Sequence, residues 1–310
     1  MEQRTDNKVV LVTQKTRLEN LVKRYNTVGQ AQFYIEHHGG DFADYQREHE
    51  TYHRSVEICA EFLQSYGRLA IIDREFISGY MFGERDLVIA IGRDGLVANV
   101  LKYLTTQQLM GVNPDPDRWD GVLLPFCAED VEVAVPDFFK GKRSTKSVTL
   151  AEARLNDNQV LYGVNDLFIG RKTHASARYE ISINGRREIQ SSSGIIVSTG
   201  LGSTGWLKSI IAGARGIGRY YGEDGVSESC SFGWDANRLV YNVREPYPST
   251  STGADIVYGD IERDVRITVT SLMPENGVIF SDGVEEDYLE FNSGAVASIG
   301  IASRKGMLVV

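Results

Sequence analysis

The hydrophobic period of this chain changes near residue 140, and that change constrains the fold more than any other feature. Before it, short β-branched runs alternate with helical patterns. Residues 9–12 (Val-Val-Leu-Val) read as a buried parallel strand, and residues 16–24 place Leu18, Leu21 and Val22 on one helical face. Residues 48–64 place Val56, Cys59, Ala60 and Leu63 at helical spacing, whereas residues 26–46 show no clear period and read as a connection. Two further apolar runs, 69–72 and 87–91, precede a helical pattern over 96–105. Strands alternating with helices predict a doubly wound parallel sheet. From residue 147 the pattern is one of short alternating runs, at 147–155, 178–183, 194–198, 239–243, 265–270 and 278–281, separated by Asn-Gly, Asp-Asn and Pro-containing turns. The expectation is an α/β N-terminal domain over residues 1–140 and a β-rich C-terminal domain over 141–294, with an apolar tail, 295–310, returning to the first core.

The formal charge of −9 argues against a nucleic-acid partner, because such binding is carried by clustered Lys and Arg. A small anion needs only a few local cations and backbone N–H groups, so it remains compatible with an acidic chain. No stretch approaches the ~20 consecutive apolar residues of a membrane span. Cys59, Cys127 and Cys230 are too scattered for a metal knuckle or a disulfide framework and read as buried thiols in a reducing compartment. The start, Met1 to Lys8, carries acids and lacks an apolar core, so neither a signal nor a transit peptide is expected and the cytoplasm is the default. His49 and His53 lie at i, i+4 among Glu and Arg, which reads as a solvated face; no metal site is expected.

Three segments carry chemistry. Gly92-Arg93-Asp94-Gly95 sits between a buried strand and a helix, where glycines admit close approach of a phosphate, the helix start offers N–H groups and Asp94 can take a hydroxyl proton. A plain βα turn with Asp94 as N-cap is the competing reading. Asn165-Asp166 enters an apolar run at the edge of the β-rich part; an amide beside a carboxylate suits vicinal ribose hydroxyls, although Asn-Asp is also a common turn pair. Thr199-Gly200-Leu201-Gly202-Ser203-Thr204-Gly205-Trp206 follows a regular strand and supplies small residues and short donors, without the lysine of a P-loop. Gly111-Val112-Asn113-Pro114 reads as a Pro-fixed turn and Asp282-Gly283 as a hairpin turn.

Together and in this order these segments resemble the NAD kinase family, whose signature is a Gly-Gly-Asp-Gly turn, a later Asn-Glu or Asn-Asp pair, and a Thr-x-x-Gly-Ser-Thr-Ala-Tyr-like loop. The resemblance runs from about residue 87 to 300 and includes Gly111 to Pro116, Ser191 to Gly194, Arg244-Glu245-Pro246 and Asp282-Gly283, with 164–170 and 291–298 closest to the mitochondrial-type branch. It implies an active site in a cleft between an α/β and a β-rich domain, in a homodimer or larger homo-oligomer. It implies ATP as phosphate donor, Mg²⁺ bridging the ATP phosphates, and NAD as acceptor. Asp94 would be the base for the adenosine ribose 2′-hydroxyl. Gly92, Arg93, Gly95 and Asn113 fall among the nucleotide-binding positions, Asn165 and Asp166 would hold a ribose, and Thr199 with Gly202, Ser203, Thr204, Gly205 and Trp206 would line the dinucleotide site.

The chain departs from the family at Arg93, where the second glycine stands, and at Leu96, where a threonine stands. Two readings of Arg93 follow: its side chain fills phosphate space or strains the backbone, or its guanidinium grips the phosphates. The altered turn also leaves open a kinase of the same fold with another hydroxyl acceptor, such as a sugar, lipid or nucleotide, and a non-catalytic NAD(P)-binding sensor.

Overall fold

The computed structural model describes residues 8–222 and 230–310. Residues 1–7, on which the reading of the N-terminus rests, lie outside the described residues. The chain divides into two compact units: the chain up to Lys146 together with Met307–Val310, and Ser147–Gly306.

The first unit runs β1 (Lys8–Thr13), α1 (Arg17–Tyr25), α2 (Val28–His37), α3 (Phe42–Tyr66), β2 (Arg68–Asp73), β3 (Leu87–Ile91), α4 (Asp94–Leu101), β4 (Gln108–Asn113), β5 (Phe126–Cys127) and α5 (Val131–Phe139). The strands pair in the order β2-β1-β3-β4-β5, all parallel, and Leu308 of the returning tail pairs in parallel with Leu109. Val9, Leu11, Leu87, Ile89 and Ile91 pack with Cys59 and Leu63 of α3 and Val131, Ala134 and Val135 of α5. The alternate residues Val10, Val12, Val88 and Ala90 are equally buried, which explains why these strands read as continuous apolar runs.

Two local expectations are corrected here. Residues 26–46 are not an irregular connection: α2 spans Val28–His37 and α3 starts at Phe42. The α2 helix carries Gly29 and aromatic side chains, and buries only Ala31 and Ile35, against a satellite cluster with Leu18 and Phe42, so its period is weak. Its start is nevertheless marked by Thr27, which accepts from the Gln30 N–H. Of the cysteines, only Cys59 is buried; Cys127 and Cys230 are partly exposed, and all three are free.

The second unit contains most of β6 (Thr145–Leu155), then β7 (Val160–Gly163), β8 (Asp166–Arg171), β9 (Ala177–Ile183), β10 (Arg186–Ser192), β11 (Ile195–Ser198), α6 (Trp206–Tyr220), β12 (Arg238–Val243), β13 (Tyr258–Glu262), β14 (Ile267–Ser271), β15 (Gly277–Ser281), β16 (Val284–Glu290) and most of β17 (Val296–Val309). One layer runs β10-β9-β14-β17, with β6 beside β17 and β7 beside β6; the other runs β13-β12-β11-β8-β15-β16. Leu167, Ile169, Ile195, Val197 and Ile279 meet Tyr179, Ile181, Val269, Ala297 and Ile299 in a common core. On the opposite face of the six-stranded sheet, Phe168, Ile196 and Val278 are covered by Trp206 and Ile210 of α6. The hairpins β9-β10 and β15-β16 turn through Asn184-Gly185 and Asp282-Gly283, each with two positive φ values, as a two-residue hairpin requires. Among the described residues no helix is long and apolar enough to cross a membrane.

Candidate active site

In the first unit the candidate residues gather at the carboxyl ends of β3 and β4. Asp94 is the first residue of α4, not its N-cap; Arg93 holds that place, without a side-chain cap bond. The Asp94 carboxylate instead accepts the backbone N–H groups of Leu123 (2.9 Å) and Val122 (3.2 Å), where the positive end of the helix also favours its charge. The loop that supplies those amides is docked by its own requirements. The Leu123 carbonyl comes so close to Gly111 that a Cβ there would lie 2.1 Å from it. Asn113, only 4% exposed, donates to the Trp119 carbonyl (2.8 Å) and accepts from the Asp115 N–H (3.1 Å). Gly111 and Asn113 thereby shape the loop that grips Asp94. Gly95 is exposed, with nothing near the place its side chain would take.

Arg93 has φ −109° and ψ 166°, an extended backbone open to any residue, so no strain follows from the lost glycine. Its guanidinium lies 4.0 Å from the Trp119 ring centroid and 2.9 Å from the Glu48 carboxylate. Glu48, 9% exposed, also pairs with Arg17. Arg17 and Arg118 converge on Asp44 (2.8 and 2.6 Å), and their hydrogen bonds, Arg118 first, hold its carboxyl down at about 2. Three arginines and two α3 carboxylates thus brace the turn. Leu96, 1% exposed, fills the core beneath Gly92, where the family has a hydroxyl.

In the second unit Asp166 opens β8, a central strand between β11 and β15. The preceding turn is held by Asp282, whose carboxylate accepts the N–H groups of Asn165 (2.6 Å) and Val164 (3.0 Å) and, at longer range, Asp166 (3.4 Å). Such a nest of amides fixes a carboxylate firmly. Asp166 is 7% exposed; burial first, and the Asp282 charge second, push its carboxyl up to about 7. It is therefore able to donate as well as accept a hydrogen bond near neutral pH.

The small-residue loop packs onto this turn. The Thr199 hydroxyl donates to the Val164 carbonyl (2.5 Å) and accepts from the Gly202 N–H (3.2 Å), and the Thr199 N–H donates to the Asn165 carbonyl (2.9 Å). A Cβ on Gly202 would lie 2.0 Å from the Asn165 carbonyl oxygen. Ser203, fully buried, donates to the Gly200 carbonyl (2.7 Å). Thr204 and Gly205 are exposed, and Trp206 stacks on Phe168 at 6.0 Å with Arg244 over its ring.

Comparison with solved structures places this architecture. An NAD kinase from Archaeoglobus fulgidus in complex with ATP matches with a TM-score of 0.56, at 13% identity, over 97% of this chain and 92% of that one. Yeast NADH kinase complexed with NADH matches with a TM-score of 0.60, again at 13% identity, over 99% and 84%. The chain has the NAD kinase fold. In sequence it is 23% identical to NAD kinase 2, mitochondrial, of Homo sapiens, over 95% of this chain and 82% of the human protein, and to its Rattus norvegicus counterpart over 95% and 85%. No family model matches the chain. The likeness to these NAD kinases runs along nearly the whole length of the chain.

On this NAD kinase scaffold the expected residues fall into two clusters: Gly92, Arg93, Asp94, Gly95 and Asn113 in the first unit, and Asn165, Asp166, Thr199 and Gly202 to Trp206 in the second. Sequence reading missed the service residues. Glu48 is one helical residue among many acids, and nothing local marks it as the partner of Arg93. Asp282 was legible as an Asp-Gly hairpin; that its side chain would reach back more than a hundred residues to the Asn165 turn was not.

Proposed function

We propose that the chain is an NAD kinase, transferring the terminal phosphoryl group of ATP to the adenosine ribose 2′-hydroxyl of NAD. The observation that carries this reading is Asp94, fixed by two backbone N–H groups at a helix start beside an open Gly95, where a base for a hydroxyl proton is wanted. Asp166 and the Asn165 amide are the ribose contacts, the raised Asp166 carboxyl being suited to a hydroxyl that must both donate and accept. Thr199, Gly202 and Ser203 act by shaping the turn under Asn165, since their polar groups are engaged with the protein. Thr204 and Gly205 are the exposed members of that loop, and with the half-buried Trp206 they are the ones left to meet the dinucleotide. Arg93 and Asn113 position, by the same logic, rather than touch nucleotide.

Mg²⁺ would accompany ATP. Among the described residues no group of three carboxylates forms an all-oxygen cage, so the ion would be held chiefly by the phosphates, as Mg²⁺ commonly is. It supplies charge neutralisation at the transferring group. We further propose a cytoplasmic homodimer or larger homo-oligomer without a nucleic-acid partner, for which light scattering and fractionation are the direct measurements.

The test is NADP formation by the purified chain from NAD, ATP and Mg²⁺. Asp94→Asn keeps an acceptor for the Leu123 N–H and is expected to lose at least ~100-fold in kcat. Full activity in that variant would remove Asp94 from the chemistry; no NADP from the wild type would remove the assignment.

A further inference from the structure

Beside the turn, but outside the residues given a role above, Glu19, His49 and His53 each bring one ligand atom within 4.8 Å of the others. His49 and His53 share one face of α3, one turn apart, with ring centroids 4.4 Å from each other. Glu19 stands in the first turn of α1, and its two oxygens are divided: Oε2 accepts the Thr16 N–H (2.7 Å), which aims Oε1 at Nε2 of His53 (3.0 Å). The Thr16 hydroxyl, itself 5% exposed, lies 3.0 Å from Nδ1 of His49 and sets that ring. Outer contacts of this kind, on both the carboxylate and an imidazole, are what orients ligands around a cation.

We propose that Glu19, His49 and His53 form a site for a first-row divalent cation, Zn²⁺ foremost. Two imidazoles and one carboxylate are the donor set of open zinc sites, with remaining positions left to water. Bonds of about 2.0–2.2 Å to a tetrahedral ion put its donors roughly 3.3 Å apart. The Glu19–His53 pair already meets that spacing, and the half-exposed side chains need only small rotations to bring the third donor in. The donor set discriminates against Mg²⁺ and Ca²⁺, which take oxygen ligands, so the site is distinct from the ion that accompanies ATP. The bound cation ties α1 to α3 beside Glu48, the partner of Arg93, and Tyr52, whose hydroxyl donates to the Ile91 carbonyl (3.3 Å) and accepts from the Gln14 N–H (2.8 Å). It is a clamp on the helix that braces the β3–α4 turn.

The experiment is a Zn²⁺ titration of the chelator-stripped full chain against a chromophoric competitor, with thermal unfolding followed in parallel. One ion per chain is expected, with Kd at or below ~10 μM and a raised Tm. His49→Ala and His53→Ala each raise Kd at least ~10-fold, and so does Glu19→Gln, which keeps an oxygen for the Thr16 N–H and hence the helix cap. His37→Ala, His38→Ala and Cys127→Ser, at other partly or wholly exposed donors, leave Kd unchanged. Circular dichroism of each variant shows that it folds. Weaker binding by the wild type, smaller changes in the three site variants, or loss of binding in the control variants would overturn the site.

Discussion

Replacing Asp166 by Asn tests the electrostatics of the second unit without reference to activity. The amide is close in shape to the protonated acid, which the buried position favours. The sign follows from the two states. The native carboxyl has its pKa raised to about 7 from an ordinary 3.8, so between these values the folded chain keeps a proton that the unfolded chain has released. Stability from this group is complete below about pH 4, falls as pH rises toward 7, and falls no further above. Integrated, the wild type loses nearly 2 kcal/mol to this group by pH 5 and about 4 by pH 8. Asn cannot titrate. The stability of Asp166→Asn relative to wild type should therefore improve by roughly 2–3 kcal/mol between pH 5 and pH 8. Any fixed cost of the amide cancels in that difference. Urea unfolding followed by circular dichroism at the two pH values, with the slope m checked for constancy, gives the number. A change below ~0.5 kcal/mol would mean that Asp166 titrates alike in both states, and the desolvation argument would be wrong. Under the proposed function the same variant binds NAD more weakly, a stability gain at the expense of a site.

Three further outcomes follow from single contacts. Asp282→Ala leaves the Val164 and Asn165 N–H groups without their acceptor, and at 1–3 kcal/mol each the loss should be about 2–6 kcal/mol, read as a shift in urea midpoint; a loss under ~1 kcal/mol would show that other groups or water replace it. Gly111→Ala drives a Cβ into the Leu123 carbonyl and should both destabilise by more than ~2 kcal/mol and lower kcat by freeing Asp94, whereas unaltered kcat in a folded variant would dissociate the loop from the chemistry. Arg93→Gly removes the Trp119 and Glu48 contacts, costs about 1–2 kcal/mol in unfolding free energy, and leaves kcat within ~3-fold; a fall beyond that would make the guanidinium a phosphate contact after all.

The architecture was legible because its pattern is local. Val9 to Val12 and Leu87 to Ile91 are buried on both faces and read as apolar runs, and the strands over 178–183 and 265–270 alternate because one face meets the core. The boundaries of α2 and α3 were not legible, since Ala31, Ile35 and Phe42 bury against a small satellite cluster and leave a weak period. The candidate site divides in the same way. Asp94, Asn165 and the 199–206 loop announce themselves by glycines and turn residues, while Glu48, Trp119 and Asp282 act across long sequence separations that no window contains.

The two departures from the family turn are explained together by their surroundings. A glycine at position 93 would leave Trp119 uncovered and would remove one of the cations beside the buried Glu48 carboxylate, and burying a charge with fewer partners is costly. A threonine at position 96 would bring a hydroxyl to a place that is 1% exposed, where Leu96 now packs beneath Gly92. Each change alone would disturb the turn; with Glu48, Arg17 and Trp119 present, both are accommodated at an unstrained backbone. What the substitutions leave untouched is the Asp94 carboxylate and its two backbone donors, the part of the turn on which phosphoryl transfer would depend.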